Sequence, residues 1–310
     1  MKTFNKIVLL SLLVISYACH TTHKLIPQSQ PLSKAPKHVI IIGFDGLSSY
    51  SIMQNAKMPT LRSLMEKGAY TLKNRSVLPS SSAVNWASMW MGASPELHGY
   101  TKWDSREPAL QSRSITENGR FPDIFHAVRK AKPNAEIGYL YEWRGMKYLA
   151  DTLSINYVHR SLVSGENTKE ATQEAINYIQ TKKPDLCAII FNQPDGIGHK
   201  KGWESEEYMN QLIHLDNALA HLIEGIENAG IMDDTVIIVV SDHGGKKTKH
   251  GGISMNEMET PIVFYGKGIK KGFEIPESTM IYDITGTVGY MLHIEQPQVW
   301  LARPILSIFE

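Results

Sequence analysis

Asp45, Asp195 and Asp242 each come shortly after one of the three strongest predicted strands, and each stands beside a glycine or a histidine. Alone, an Asp-Gly pair indicates only a turn. Three such residues at the ends of parallel strands would instead share one crevice, because ligands of open α/β sheets bind beyond the carboxyl ends of the strands. Converging carboxylates repel one another, so the pattern predicts that a cation binds between them.

Three histidines lie near these carboxylates: His199 follows Asp195 by four residues, across what we expect to be a glycine-containing loop. His243 adjoins Asp242, and His250 comes seven residues after His243. Imidazole combined with carboxylate suits zinc or a neighbouring transition ion better than calcium. Six ligands exceed the three of a single open catalytic site, so we expect two divalent metal ions, with zinc favoured. Such pairs serve phosphoryl displacement by clamping the attacking and leaving oxygens.

A nucleophile is expected among three consecutive serines, Ser80, Ser81 and Ser82, which precede a predicted helix. A hydroxyl at a helix N-terminus lies among free backbone N–H groups, which favour an alkoxide and an incoming phosphate. Serine is also a preferred helix N-cap. Because a capping role is compatible with catalysis, this pattern alone leaves open which serine reacts.

The ordered set of motifs resembles the alkaline phosphatase superfamily, and within it the type I phosphodiesterase/nucleotide pyrophosphatase branch. The resemblance runs from about residue 37 to residue 268. It rests on Asp45, Ser82-x-x-Asn85, Pro95-Glu96-x-His98-Gly99, Asp195-x-x-x-His199, Ser241-Asp242-His243-Gly244 and His250-Gly251. The sulfatase branch is disfavoured, because its C/S-x-P-x-R motif for formylglycine is missing around Ser82 and around both cysteines.

The resemblance implies one metal site held by Asp195, His199 and His250. It implies a second site held by Asp45, Asp242, His243 and the oxygen of the nucleophile. The family nucleophile lies three residues before an asparagine, which selects Ser82. Asn85 would then donate a hydrogen bond to a phosphate oxygen, whereas His98 is expected to be structural.

The substrate is expected to be a phosphodiester. No Lys or Arg occurs between Arg75 and Lys102 to balance the second charge of a monoester. Trp86, Tyr100 and Trp103 could hold an apolar or base-bearing arm, although large aromatic side chains are often simply core residues. At the nucleophile position this chain has Ser82 where that branch usually has Thr, and Ala83-Val84 follows where Phe-Pro is common. Whether the substrate is a nucleotide is therefore left open.

Residues 1–18 have the composition of an export signal: two lysines, the short apolar run 7–15, and small residues before Cys19. We expect cleavage before Cys19 and lipidation of its thiol; ordinary cleavage with an incidental cysteine is the alternative. Residues 19–36 are polar and punctuated by proline, which is typical of a tether. The protein is therefore expected at the periplasm or outer surface of a bacterial cell, where only this anchor would contact the membrane.

The remaining residues, 37–310, are expected to form one α/β domain with a mostly parallel sheet and helices on both faces. Strong strands are predicted at 38–44, 186–191 and 235–240, and weaker ones at 136–141 and 261–265. Helices are predicted at 58–67, 84–91, 122–130, 168–180 and 208–226. Cys187 falls in a predicted strand, where a buried thiol serves as a small core residue.

The composition limits the remaining classes of function. The 310 residues include 42% hydrophobic and 20% charged residues, which excludes a disordered or fibrous chain. With 32 basic and 31 acidic residues there is no nucleic-acid footprint. We therefore expect an exported two-metal phosphodiesterase that acts on a small phosphate ester. A phosphomonoesterase with the same metal core and a non-catalytic binding lipoprotein are the alternatives, and the oligomeric state is left open.

Overall fold

The computed structural model describes residues 32, 34–54, 56–161 and 168–310. The centre of its fold is the strand β1, His38–Phe44. It lies between two parallel strands, β5 (Leu186–Phe191) and β6 (Thr235–Val240), with Val39 opposite both Leu186 and Val236. All three strands are apolar along their length, as strands covered on both faces must be. The predicted bounds of these three strands are confirmed.

These strands belong to a sheet of eight with the spatial order β4-β3-β5-β1-β6-β7-β2-β8. The other strands are β2 (Ala69–Arg75), β3 (Ile137–Tyr141), β4 (Tyr157–Arg160), β7 (Glu259–Gly266) and β8 (Phe273–Glu274). Only β7 runs antiparallel to its neighbours among the described strands. The predicted mostly parallel sheet is therefore confirmed, with one antiparallel strand that the sequence pattern did not indicate.

Helices cover both faces of the sheet. They are α1 (Ser49–Met53), α2 (Pro59–Lys67), α3 (Ser82–Met91), α4 (Pro95–His98), α5 (Ile124–Ala131), α6 (Lys169–Lys182), α7 (Asp195–Lys201), α8 (Glu206–Asn228), α9 (Met255–Met258) and α10 (Asp283–Met291). Alternate residues of β1 point to opposite faces: Val39 and Ile41 pack with α3, α5 and α10, and Ile40 and Ile42 pack with α2, α6 and α8. The five predicted helices are all present within a few residues of their expected bounds.

The described residues form one compact unit, Leu32–Glu310. The expected signal segment 1–18 and all but four residues of the tether 19–36 lie outside the described residues, and Cys19 lies there too. Cys187 is buried in β5, as predicted. None of the helices in the described part of the chain has the length and apolarity that crossing a bilayer requires.

Candidate metal centre and active site

The carboxyl ends of β1, β5 and β6 bring Asp45, Asp195 and Asp242 to one edge of the sheet. The backbone N–H of Asp195 donates to the carbonyl of Asp45 at 2.9 Å, and the N–H of Gly46 donates to Asp242 Oδ1 at 3.1 Å. Gly46 has φ +74°, and a Cβ there would lie 2.9 Å from Asp195 Cβ. A glycine after Asp45 is therefore required for the carboxylates to approach each other.

The first group of candidate ligands is Asp195, His199 and His250. Asp195 Oδ1 lies 3.5 Å from the Nε2 atom of each histidine, and the two Nε2 atoms are 3.0 Å apart. The prediction that a loop joins Asp195 to His199 is wrong, because both residues lie in α7. Four residues span about one helical turn, so the helix places both side chains on one face.

The second group of candidate ligands is Asp45, Asp242 and His243. His243 Nε2 lies 3.5 Å from Asp45 Oδ1 and 3.3 Å from Asp242 Oδ2. Ligand atoms of Asp45, Asp195 and His243 also lie within 4.8 Å of one another, so the two groups adjoin along Asp195. The six residues that the sequence nominated as ligands are thus brought together.

Backbone carbonyls fix the direction in which each imidazole presents its lone pair. The acceptors for the Nδ1 atoms of His199, His243 and His250 are the carbonyls of Thr248, Gly244 and Ser80, at 3.0, 2.7 and 3.0 Å. A carbonyl oxygen only accepts, so each Nδ1 carries the proton and each Nε2 is left unprotonated. Metal-bound histidines commonly have this arrangement, since the outer hydrogen bond sets the tautomer.

The electrostatics of the two groups favour a bound cation. Asp195 Oδ1 and Asp242 Oδ2 are buried without a hydrogen-bond partner. Burial, reinforced by the neighbouring carboxylates, raises the pKa of Asp45 and of Asp242, and burial raises that of Asp195 to about 6. Burial also lowers the pKa of His250 to about 4, which keeps its ring neutral. Orphaned carboxylate oxygens beside neutral imidazoles fit divalent transition ions, which supply the missing positive charge.

Ser82 is the serine that faces these ligands. Its Oγ lies 3.1 Å from His243 Nε2 and 3.5 Å from Asp45 Oδ1. Ser80 Oγ instead donates to the carbonyl of Gly252 at 2.7 Å, and Ser81 Oγ points to its own turn. Ser82 is the first residue of α3, and none of the three hydroxyls caps that helix. The geometry therefore separates Ser82 from its two neighbours.

The contacts of Asn85 in the structure are with backbone groups, and its expected contact with phosphate stays a prediction. Asn85 is fully buried; its Oδ1 accepts from the N–H of Val77 at 2.7 Å, and its Nδ2 donates to the carbonyls of Pro79 and Ser81. The side chain thus holds the turn that leads into α3. His98 also lies apart from both ligand groups, and burial lowers its pKa to about 3, in keeping with the structural role expected of it.

The first group and Asp45 of the second line a cavity of about 550 Å³, whereas Asp242 and His243 are fully buried and do not line it. Trp103 and Trp143 form an aromatic part of its wall, and Asn192 adds an amide. Of the three aromatic residues expected here only Trp103 is present, because Trp86 and Tyr100 are buried. Sequence reasoning missed Trp143 and Asn192, although each comes within two residues of a strand end, where a site in such a sheet is formed. No Lys or Arg of the described chain lines this cavity.

The sequence pattern of the type I phosphodiesterase/nucleotide pyrophosphatase family matches residues 39–265. Ectonucleotide pyrophosphatase/phosphodiesterase family member 1 of Rattus norvegicus is 24% identical over 278 residues, which cover 85% of this chain and 30% of that protein. Family member 7 of the same species is 22% identical over 93% of this chain and 69% of its own length. This chain thus spans under a third of the length of the family member 1 protein.

Two solved structures share the fold. Murine ectonucleotide pyrophosphatase/phosphodiesterase 5 in complex with AMP superposes with a TM-score of 0.70 at 14% identity, over 88% of this chain and all of that one. A 2-O GAG sulfatase superposes with a TM-score of 0.69 at 15% identity, over 88% of this chain and 73% of that one. Because the sequence identities are low, these two superpositions show a shared fold and nothing further.

Proposed function

The chain belongs to the type I phosphodiesterase/nucleotide pyrophosphatase family of the alkaline phosphatase superfamily, and on that premise we propose that it is an exported two-metal phosphodiesterase with Ser82 as nucleophile. One observation carries the proposal: Ser82 Oγ lies 3.1 Å from His243 Nε2, beside two adjoining sets of carboxylate and imidazole ligands in an open cavity. A role in stability alone would not explain why the hydroxyl of Ser82 lies beside these carboxylates and imidazoles.

The ligands divide into two sites. Asp195, His199 and His250 would hold one ion, and Asp45, Asp242, His243 and the Ser82 oxygen would hold the other; zinc is proposed for both. When bound, two such ions supply positive charge to the attacking and leaving oxygens of an in-line displacement.

Ser82 then performs the covalent chemistry. Its Oγ forms a bond to phosphorus as the bond from phosphorus to the leaving alcohol breaks, and the serine proton goes to the alcohol through solvent. Ser82 is the first residue of α3, so the positive end of the helix dipole would lie near the negative charge of the phosphoryl group, although the N–H of Ala83 already donates to the carbonyl of Trp103 at 3.1 Å. Water next attacks the phosphoserine, releases the phosphomonoester and restores the hydroxyl.

A diester is the favoured substrate. Enzymes that prefer the dianionic monoester generally place a cation beside the metals, and no Lys or Arg among the described residues lines this cavity. Trp103, whose surface is 61% exposed, and Trp143 instead offer aromatic faces to the second ester arm.

The test compares kcat/KM for bis-p-nitrophenyl phosphate and p-nitrophenyl phosphate at one pH and one zinc concentration. We expect the diester value to be at least tenfold higher. A monoester advantage would overturn the diesterase assignment in favour of a phosphomonoesterase. Lack of turnover of both substrates by protein that holds two zinc ions would favour a binding lipoprotein.

Export and lipidation complete the proposal, which rests here on the composition of residues 1–18 and on Cys19. Expression of the full chain in a bacterium should yield a mature protein that begins at Cys19, carries acyl chains and sediments with membranes. Cys19→Ser should release the protein from the membrane fraction. Membrane association that survives this substitution would contradict the anchor.

A further inference from the structure

Trp86 lies beneath the candidate metal centre on the same helix as Ser82. It comes one turn after Ser82 in α3 and is fully buried. Its indole Nε1–H donates to Asp45 Oδ2 at 3.2 Å. The other oxygen of that carboxylate, Oδ1, points to Ser82 and His243, at 3.5 Å from each. One oxygen of Asp45 is thus committed to the indole, and the other is left for the ligand cluster.

The indole is itself held rigidly. It stacks on Trp90 with 5.8 Å between ring centroids and 20° between planes, and Trp90 in turn packs at 5.5 Å against Phe125. On its other side, the Trp86 ring packs against β1 at Gly43. A Cβ on Gly43 would lie 2.5 Å from Trp86 Cη2. The absence of a side chain at Gly43 therefore makes the room in which the ring lies.

We propose that Trp86 is a positioning residue that sets the rotation of the Asp45 carboxylate and so directs Oδ1 to the metal beside Ser82. An indole N–H suits this task, because it only donates and cannot itself compete for the ion. Hydrogen bonds of this kind from residues behind the ligands typically change metal affinity by about 10- to 100-fold. The inference rests on the proposed two-metal function.

The arrangement also links two requirements of the reaction. Ser82 and Trp86 belong to one helix, so a movement of α3 that displaced the nucleophile would also release Asp45. The nucleophile and the ligand it faces are thereby kept in register by one rigid element.

The experiment measures zinc stoichiometry and affinity by chelator competition for the wild type, Trp86→Phe and Trp90→Phe, together with their thermal unfolding. Trp90→Phe is the matched control, since it removes the same ring area from the same aromatic stack and Trp90 makes no hydrogen bond to any ligand described here. We expect Trp86→Phe to weaken one of two zinc sites by about 10- to 100-fold. Trp90→Phe should leave both affinities within about threefold, although both variants lose stability.

Equal zinc affinities in Trp86→Phe and the wild type, or equal losses in the two variants, would overturn the inference and leave the two-metal proposal intact. A wild type that bound fewer than two zinc ions would overturn the proposed function and this role together. If Trp86→Phe does not fold, the indole N–H resonances of the wild type decide the matter. Zinc should shift the Trp86 signal more than that of Trp90, and an unmoved Trp86 signal would count against the role.

Discussion

The Nε2 atoms of His199 and His250 lie 3.0 Å apart, while the Nδ1 atom of each ring donates to a backbone carbonyl. Two nitrogen lone pairs therefore face each other at a distance that is favourable only if a proton or a cation lies between them. Asp195 Oδ1, buried and without a hydrogen-bond partner, points to the same place. This pair of histidines is the feature of the site that best fits a bound metal ion.

A variant that lacks one of these histidines should bind one metal ion fewer than the wild type. His250→Ala leaves two ligands where three are needed, so the zinc content should fall from about two ions per chain to about one. Hydrolysis of a diester should fall at least 100-fold. His221→Ala is the matched control, because His221 is an exposed histidine on α8 that lies in neither ligand group. A zinc content of two in His250→Ala would contradict the assignment of this site.

Asn85 should matter for stability through the turn that it holds. Asn85→Ala removes the acceptor for Val77 and the donor to Pro79 and Ser81, all within the buried entry to α3. We expect a loss of about 2–4 kcal/mol in the free energy of unfolding, since backbone groups are left buried and unpaired. Urea titration measures this directly. An unchanged stability with a reduced kcat would instead favour the contact with phosphate that the sequence suggested.

The strand ends were accessible to sequence analysis because β1, β5 and β6 are continuous apolar runs, and each leads within a few residues to a carboxylate. The six ligands followed from that pattern and from the order of the motifs. The backbone contacts of Asn85 could not be predicted, because its spacing from Ser82 matches a family motif but does not indicate where the amide points. In α3, one turn of helix carries it into the protein interior, away from the cavity.

Other features depend on contacts between distant segments that no local pattern encodes. Trp86 can donate to Asp45 because Gly43, which precedes Trp86 by 43 residues in the sequence, leaves room for the indole ring beside β1. Trp143 reaches the cavity from the segment after β3, and β7 is antiparallel although its composition resembles that of its neighbours. The glycines around His199 suggested a loop, whereas α7 tolerates them because Gly198 packs tightly against Trp203.

Glu142 should make stability depend on pH. Burial raises its pKa from an ordinary value of 4.5 to about 7, and its Oε2 accepts the N–H of Asn192 at 2.7 Å. Between these two values the folded state binds the proton that the unfolded state has released, so this group's contribution to stability falls as the pH rises from about 4.5 to 7. Glu142→Gln keeps an acceptor oxygen and cannot ionise.

The difference in free energy of unfolding between Glu142→Gln and the wild type should therefore shift in favour of the variant across this interval, by a few kcal/mol at most. Urea titrations at several pH values give the difference, in which the titration of all other groups cancels. A difference that stays constant between pH 4.5 and 7 would show that folding does not raise the pKa of Glu142.

The most direct test of the account is the rate of bis-p-nitrophenyl phosphate hydrolysis by zinc-loaded Ser82→Ala. Ser82 Oγ is the hydroxyl that lies beside His243 and Asp45, so its removal should abolish the covalent step while the Asp195, His199 and His250 site keeps its zinc. We predict a kcat at least 1000-fold below that of the wild type, with the fold retained by circular dichroism. A kcat within tenfold of the wild type would contradict the account and assign the attack to another serine or to water.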